Sequence, residues 1–354
     1  MNVLGKYVIL DGKKLLRLFW IIILLSFAVW LISIIISPNG HQLDLFFLRT
    51  GDFWADASNV TGLVSERDPY HNARVGIGLG NANQPPLTYI CYFLLACVSI
   101  IPDNSYLNYY YQPMWTMLFV IILCVTMIMI FEICVRQFPV EFYFDALLIG
   151  ASICFSYPMI FSIERGNNVI VSALMVSVFV FYYDNNIKWK KEIALICLAI
   201  ASGMKISPAI LGILLVYKKD WSAVCRLALY DTLFFIGPFV FLKGGINNLF
   251  QMIHNLNLWF TTYVSYNEGT GFVASYVKYI RFFYDCRYIS DTSYKILTVL
   301  KSEVSFILLL GAFHFEEKWK CVFNVILVLL VLPTTSAAYC LLYLIPFTVL
   351  FLNS

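Results

Sequence analysis

Charge is scarce in this sequence. Only 13% of its 354 residues are Asp, Glu, Lys or Arg, about half the share that a water-soluble domain carries. So little charge cannot cover a soluble surface of this size. The ten cysteines form no Cys-x-x-Cys pair, so no zinc ribbon or dithiol redox motif is present. Most of them (Cys91, Cys97, Cys124, Cys134, Cys154, Cys197, Cys340) lie inside apolar segments, where cysteine behaves as a small apolar residue. The four histidines, His41, His71, His254 and His314, are scattered singly, without metal-ligand spacing. No metal and no cofactor are therefore expected. The net charge is only +3 and the basic residues sit in short clusters, which excludes the basic stripe of a nucleic-acid-binding protein. There is no internal repeat, so the inverted-repeat mark of many transporters is missing.

Apolar residues make up 60% of the chain and come in long uncharged blocks. About 20 such residues cross a bilayer as a helix. The first block, Leu18 to Ser37, follows Lys6, Lys13, Lys14 and Arg17. It is too long for a signal peptide and ends in a poor cleavage site, Ser37-Pro38-Asn39-Gly40. It reads as a retained first span with a cytoplasmic N-terminus. Further blocks at about 87–101, 113–134, 143–163, 169–183, 192–217, 226–242, 296–313, 320–332 and 338–352 predict an all-α polytopic membrane protein of about nine to ten transmembrane helices, forming one domain over 1–354.

Two long polar regions, about 39–86 and 243–295, are both assigned to the outer face. Lys188, Lys190 and Lys191, then Lys218, Lys219 and Arg226, then Lys318 and Lys320 mark cytoplasmic ends. Block 192–217 has a basic cluster at each end and Gly203-Met204-Lys205-Ile206-Ser207-Pro208 inside. It reads either as a re-entrant hairpin or as a kinked helix. Placing 164–168 outside requires one block before it to fall short of spanning, and 87–101 is the shortest. The aromatic residues of 243–295 suggest juxtamembrane helices lying on the bilayer.

Few residues are equipped for chemistry. Asp52 and Asp56 share a helix face if 50–56 is helical, and a carboxylate at the membrane edge is able to act as general base; a hydrated loop or a cap explains the same pair. Glu164-Arg165-Gly166-Asn167-Asn168 offers a guanidinium for phosphate and amides for sugar hydroxyls, or simply a tight turn. Lys205 stands within an apolar block, where a cation is expensive and by default functional. Gly76-Ile77-Gly78-Leu79-Gly80 lacks the spacing and context of a phosphate loop.

In order, Gly51-Asp52-Phe53, Asp68-Pro69-Tyr70, Gln84-Pro85-Pro86-Leu87, Glu164-Arg165-Gly166-Asn167, Lys205 with Pro208, and Pro333, Ser336 and Tyr339 resemble the GT-C superfamily of membrane glycosyltransferases, specifically glycosyltransferase family 87. The resemblance implies a GT-C-like helix bundle with an outer-face active site. Its donor would be a polyprenyl-phosphate sugar, often mannose, and its acceptor a glycan or lipid-linked molecule. By position it makes Asp52 the general base and Asp56 the second candidate. Glu164, Arg165, Asn167, Asn168, Lys205, Lys278, Arg281, Ser336 and Tyr339 are the candidates for binding sugar and phosphate. The chain departs from the family where many relatives read Gly-Gln-x-Asn and it reads Gly166-Asn167-Asn168-Val169, and it lacks a late histidine near Ser336–Tyr339. A polysaccharide polymerase or ligase, a lipid-sugar flippase and a small-molecule transporter are the competing classes.

Overall fold

The computed structural model describes residues 12–36, 56, 57, 60, 68–71, 84–98, 113–258, 283, 284, 286–333 and 338–354. Regular structure among them is helical throughout. Helix α1 (Gly12–Ile36) has 25 residues, and none of its apolar window is buried by protein. A helix that is apolar all round and has no protein cover is solvated by lipid. It is tied down at its start. Leu16 packs with Ile149 and Leu352, and Trp20 Nε1 donates to Asp145 Oδ1 at 3.2 Å.

Four helical stretches among the described residues are long and apolar enough to cross a bilayer: Leu16–Ile36, Leu118–Val135 within α3 (Pro113–Val135), Trp221–Phe241 and Asp291–His314. A fifth results if α4 (Tyr143–Cys154, with the 3-10 turn before it) and α5 (Tyr157–Arg165) are taken as one span, bent by 41°. Pro158 opens α5, where a missing N–H does no harm but cannot continue the preceding helix. The protein is thus an all-α, multi-pass membrane protein. Val169–Tyr182, Ser207–Tyr217 and Tyr339–Leu352 are shorter apolar helices. Helix α2 (Pro86–Val98) has 13 residues, roughly 20 Å at the α-helical rise, and residues 99–101 of that block lie outside the described residues.

Helix α6 (Val169–Tyr182) forms the centre. Ten of its 14 residues are buried, so it is sheathed by protein and not by lipid. Beside it runs α7 (Lys188–Met204), whose buried Ala194, Ala199, Ala201, Ser202 and Gly203 allow close approach of backbones. The helix stops at Lys205, which is extended (φ −143°, ψ 129°). A 3-10 turn, Ser207–Gly212, and a short α8 (Ile213–Tyr217) follow. The chain then returns to where α7 began, because Lys191 forms an ion pair with Asp220. Block 192–217 is therefore a hairpin, and Lys205 sits at its tip. Helix α9 (Trp221–Asp231) sets off again along α7, with Arg226 paired to Glu192 at 3.3 Å.

This hairpin gives the bundle two chemically distinct ends. At one end the basic clusters meet. Lys318 pairs with Asp184 at 2.6 Å and lies 4.7 Å from the Tyr183 ring centroid, and Tyr217 OH donates to Phe315 O at 2.6 Å. The start of α1 and the C-terminal residues join them there. Trp319 packs on Phe351, and Asn353 Nδ2 donates to Gln137 O at 2.8 Å. At the other end the two long polar regions touch. Asn255, on α10 (Asn248–Leu258), donates to Tyr70 O at 3.0 Å, and Lys243 approaches Asp68 to 4.0 Å. The two remaining long helices, α11 (Asp291–His314) and α12 (Lys318–Val331), pack as a hairpin whose turn lies at the basic end. Helix α13 (Ile345–Leu352) closes the chain beside α6 and α12.

Candidate functional site

The polar end is built around the turn between α5 and α6. Gly166 ends α5 with φ 62°, a left-handed conformation that carries a steric cost for residues with a Cβ. Its N–H reaches Ile163 O and that of Asn167 reaches Ser162 O, both at 3.0 Å, which satisfies the last carbonyls of the helix. The turn thereby projects Arg165 and Asn167 in one direction. Arg165 Nη2 donates to Asp56 Oδ1 at 2.7 Å, and Asn167 Nδ2 donates to Asp56 Oδ2 at 2.7 Å. The other side of the Asn167 amide accepts from Val169 N–H at 2.9 Å, so both ends of the side chain are fixed. Asp56 and Arg165 are each 20% exposed. Burial pushes the Asp56 carboxyl up from its ordinary range, while the Asn167 hydrogen bond and the Lys205 charge work against that rise.

A second layer ties this turn to α2 and to the hairpin tip. Asn168 Nδ2 donates to Thr88 Oγ1 at 3.1 Å, and Thr88 in turn donates to Met204 O at 2.6 Å. Tyr92 OH donates to Gly166 O at 2.8 Å. Met204 O is among the last carbonyls of α7, unsatisfied within the helix, so Thr88 takes up an acceptor freed by the break. Lys205 Nζ donates to Gln84 Oε1 at 3.2 Å and lies within electrostatic reach of Asp56 and Cys340. Tyr339 stacks on Phe161 with centroids 5.8 Å apart and lies within electrostatic reach of Asp56 and Arg165. Glu164 is buried on α5, close enough to Tyr157 for their charges to interact.

Asp56, Arg165, Asn167, Asn168, Lys205 and Tyr339 therefore come together at the polar end, with Glu164 beside them. Asp52, Lys278, Arg281 and Ser336 lie outside the described residues. Lys205 is not suspended halfway along a crossing helix, as its position in the apolar block suggests. It stands where a helix ends and the backbone is extended, at the depth of the polar turn. Gln84, Thr88, Tyr92 and Tyr70 were not singled out as site residues by sequence reasoning. The only signal for two of them was text: Asp68-Pro69-Tyr70 and Gln84-Pro85-Pro86-Leu87 carry part of the family resemblance. Thr88 and Tyr92 give no signal in sequence, because each is an ordinary polar residue on an apolar helix.

The arrangement offers a carboxylate locked to a guanidinium and an amide, with a second cation a short way off, at one end of a membrane bundle. Such a set is suited to an anionic ligand that arrives through the bilayer with polar groups attached. Comparison with protein families matches residues 85–333 to glycosyltransferase family 87. The matched span contains Glu164 to Asn168 and Lys205, and it excludes Asp52, Asp56, Gln84 and Tyr339. No curated protein and no solved structure matches the chain.

Proposed function

Because the chain belongs to glycosyltransferase family 87, and is thus a membrane glycosyltransferase, we propose that it moves a hexosyl unit, mannosyl in the first instance, from a polyprenyl-phosphate donor to a glycan or lipid-linked acceptor. The observation that carries this reading is the meeting of Asp56, Arg165, Asn167 and Lys205 at one polar end. The donor is itself a membrane lipid, which gives a physical reason for the enzyme to be a bundle in the bilayer.

The reaction is a single displacement. Asp52 takes the proton from an acceptor hydroxyl, and the oxygen forms a bond to the anomeric carbon. The bond from that carbon to the phosphate oxygen breaks, and its electron pair leaves with the polyprenyl phosphate. Lys205 stabilises the developing phosphate charge, with Arg165, Lys278 and Arg281 as further candidate cations. Glu164, Asn167, Asn168, Ser336 and Tyr339 are assigned to holding sugar and phosphate. Between the two aspartates, Asp52 is the better base. Both oxygens of Asp56 already accept hydrogen bonds from Arg165 and Asn167, which suits a residue that holds those two side chains in place. The whole chain acts as one transferase domain.

The basic end supports an orientation. Lysines of short loops favour the cytoplasm, so the polar end faces outward across the plasma membrane and the N-terminus is inside. The enzyme assay is transfer from polyprenyl-phosphate mannose by the purified protein in lipid. Asp52→Asn is expected to lower kcat by about 10²-fold or more, as loss of a positioned base does, with donor KM little changed. Wild-type turnover in Asp52→Asn would remove Asp52 as the base. Turnover also separates this reading from a flippase or transporter, which would move the lipid-linked sugar intact.

A further inference from the structure

We propose that Gln84 is a positioning residue that holds the Lys205 ammonium toward the donor phosphate while leaving its charge intact. This rests on the reading of Lys205 as a phosphate contact. Gln84 is fixed at both of its backbone groups. Its carbonyl accepts from Tyr70 OH at 2.8 Å, and its N–H donates to Tyr89 OH at 3.1 Å. The two tyrosine rings are nearly fully buried and meet edge to face at 5.4 Å. Pro85 and Pro86 follow, and Pro86 begins α2. Proline disfavours helical backbone in the residue before it, so Gln84 is held just outside the helix. With the backbone pinned, the side-chain oxygen Oε1 accepts from Lys205 Nζ at 3.2 Å.

The choice of partner is chemically informative. An ammonium has three donors and no acceptor. A carboxylate at Gln84 would bind it more strongly but would cancel its charge. A neutral amide oxygen takes one donor and fixes its direction, and the positive charge stays available to an anion. The treatment of Arg165 is the opposite, because Asp56 neutralises it at 2.7 Å. Among the described residues, Arg165 is paired with an anion and Lys205 is held by a neutral group, and the second is the one suited to a phosphate that gains charge in the reaction.

The experiment measures binding of a short-chain polyprenyl phosphate to the full chain in lipid nanodiscs, from pH 5 to pH 8, for wild type, Gln84→Glu, Gln84→Met and Lys205→Met. Among the described residues, the charged and titratable groups facing this point are Lys205, Asp56, Cys340 and the hydroxyls of Tyr70 and Tyr89, so each variant is compared with wild type at the same pH. Lys205→Met is expected to weaken binding at least tenfold. Gln84→Glu is expected to weaken it about tenfold across this pH range, by more than Gln84→Met, because a carboxylate beside the Lys205 ammonium stays ionised throughout it. Gln84→Met, similar in length and uncharged, is expected to weaken binding by a factor that does not change with pH. If Lys205→Met binds like wild type, the phosphate reading of Lys205 is wrong and this proposal goes with it. If Lys205→Met is weakened but Gln84→Glu and Gln84→Met match wild type at every pH, the phosphate reading stands and the role of Gln84 is overturned.

Discussion

At the scale of single residues, the polar end depends on pairs that are expensive to break. Asp56 and Arg165 are each mostly covered, and removing one member of such a pair leaves the other charge without compensation. Asp56→Ala is expected to destabilise the protein by about 2–4 kcal/mol, somewhat below the cost for a fully buried pair, and to abolish transfer. The double variant Asp56→Leu with Arg165→Met is expected to recover most of the stability, because well-packed apolar groups replace the pair, while transfer stays lost. Thermal unfolding in detergent together with the transfer assay checks both halves. Equal destabilisation in the single and double variants would show that packing, not charge, explains the loss. Lys205 was legible in the sequence, because a charge in an apolar block is conspicuous, whereas Asp56 and Arg165 stood out by their spacing and by the family resemblance. Gln84 and Thr88 were not, because their importance comes from partners 116 to 121 positions away.

At the scale of elements, two glycines hold the site in position for different reasons. Gly166 supplies the positive φ that ends α5. Gly166→Ala is expected to cost about 1–2 kcal/mol of backbone strain and to raise donor KM by turning Arg165 and Asn167. Gly166→Asn is expected to be milder, since asparagine tolerates this conformation better. Gly203 acts by size. A Cβ there would stand 2.5 Å from Phe234 O, so α7 and the segment after α9 would have to separate just before Lys205. Gly203→Ala is expected to cost about 1–3 kcal/mol as an overpacking change and to weaken polyprenyl phosphate binding. A stable Gly203→Ala with wild-type binding would mean that the hairpin tip can shift without consequence. The sequence marked this region as broken through Gly203 and Pro208, but it left hairpin and kinked helix open. The Lys191–Asp220 pair decides for the hairpin.

At the scale of the whole molecule, the separation of a basic end from a polar end predicts how the protein lies in the membrane. An epitope tag after Ser354 is expected to resist protease added to intact cells, and a tag inserted between Arg287 and Tyr288 is expected to be cut. Cleavage of the C-terminal tag alone would invert the orientation. Within the bundle, α6 is screened from lipid by other helices, with ten of its 14 residues buried, so its length need not match the bilayer.

The sequence alone determined that this protein lives in a bilayer, since 13% charge cannot clothe a soluble fold. It also marked the basic clusters, the polar stretch 164–168 and the cation in the apolar block, all of which are properties of neighbouring residues. Only the tertiary structure decided which of these meet. Asp56 finds Arg165 and Asn167 across 109 and 111 positions, and Lys205 stands at a hairpin tip beside Gln84. Sequence periodicity reports local exposure, but the ion pairs and hydrogen bonds that make a site come from chain reversals, which are set by packing across the whole bundle.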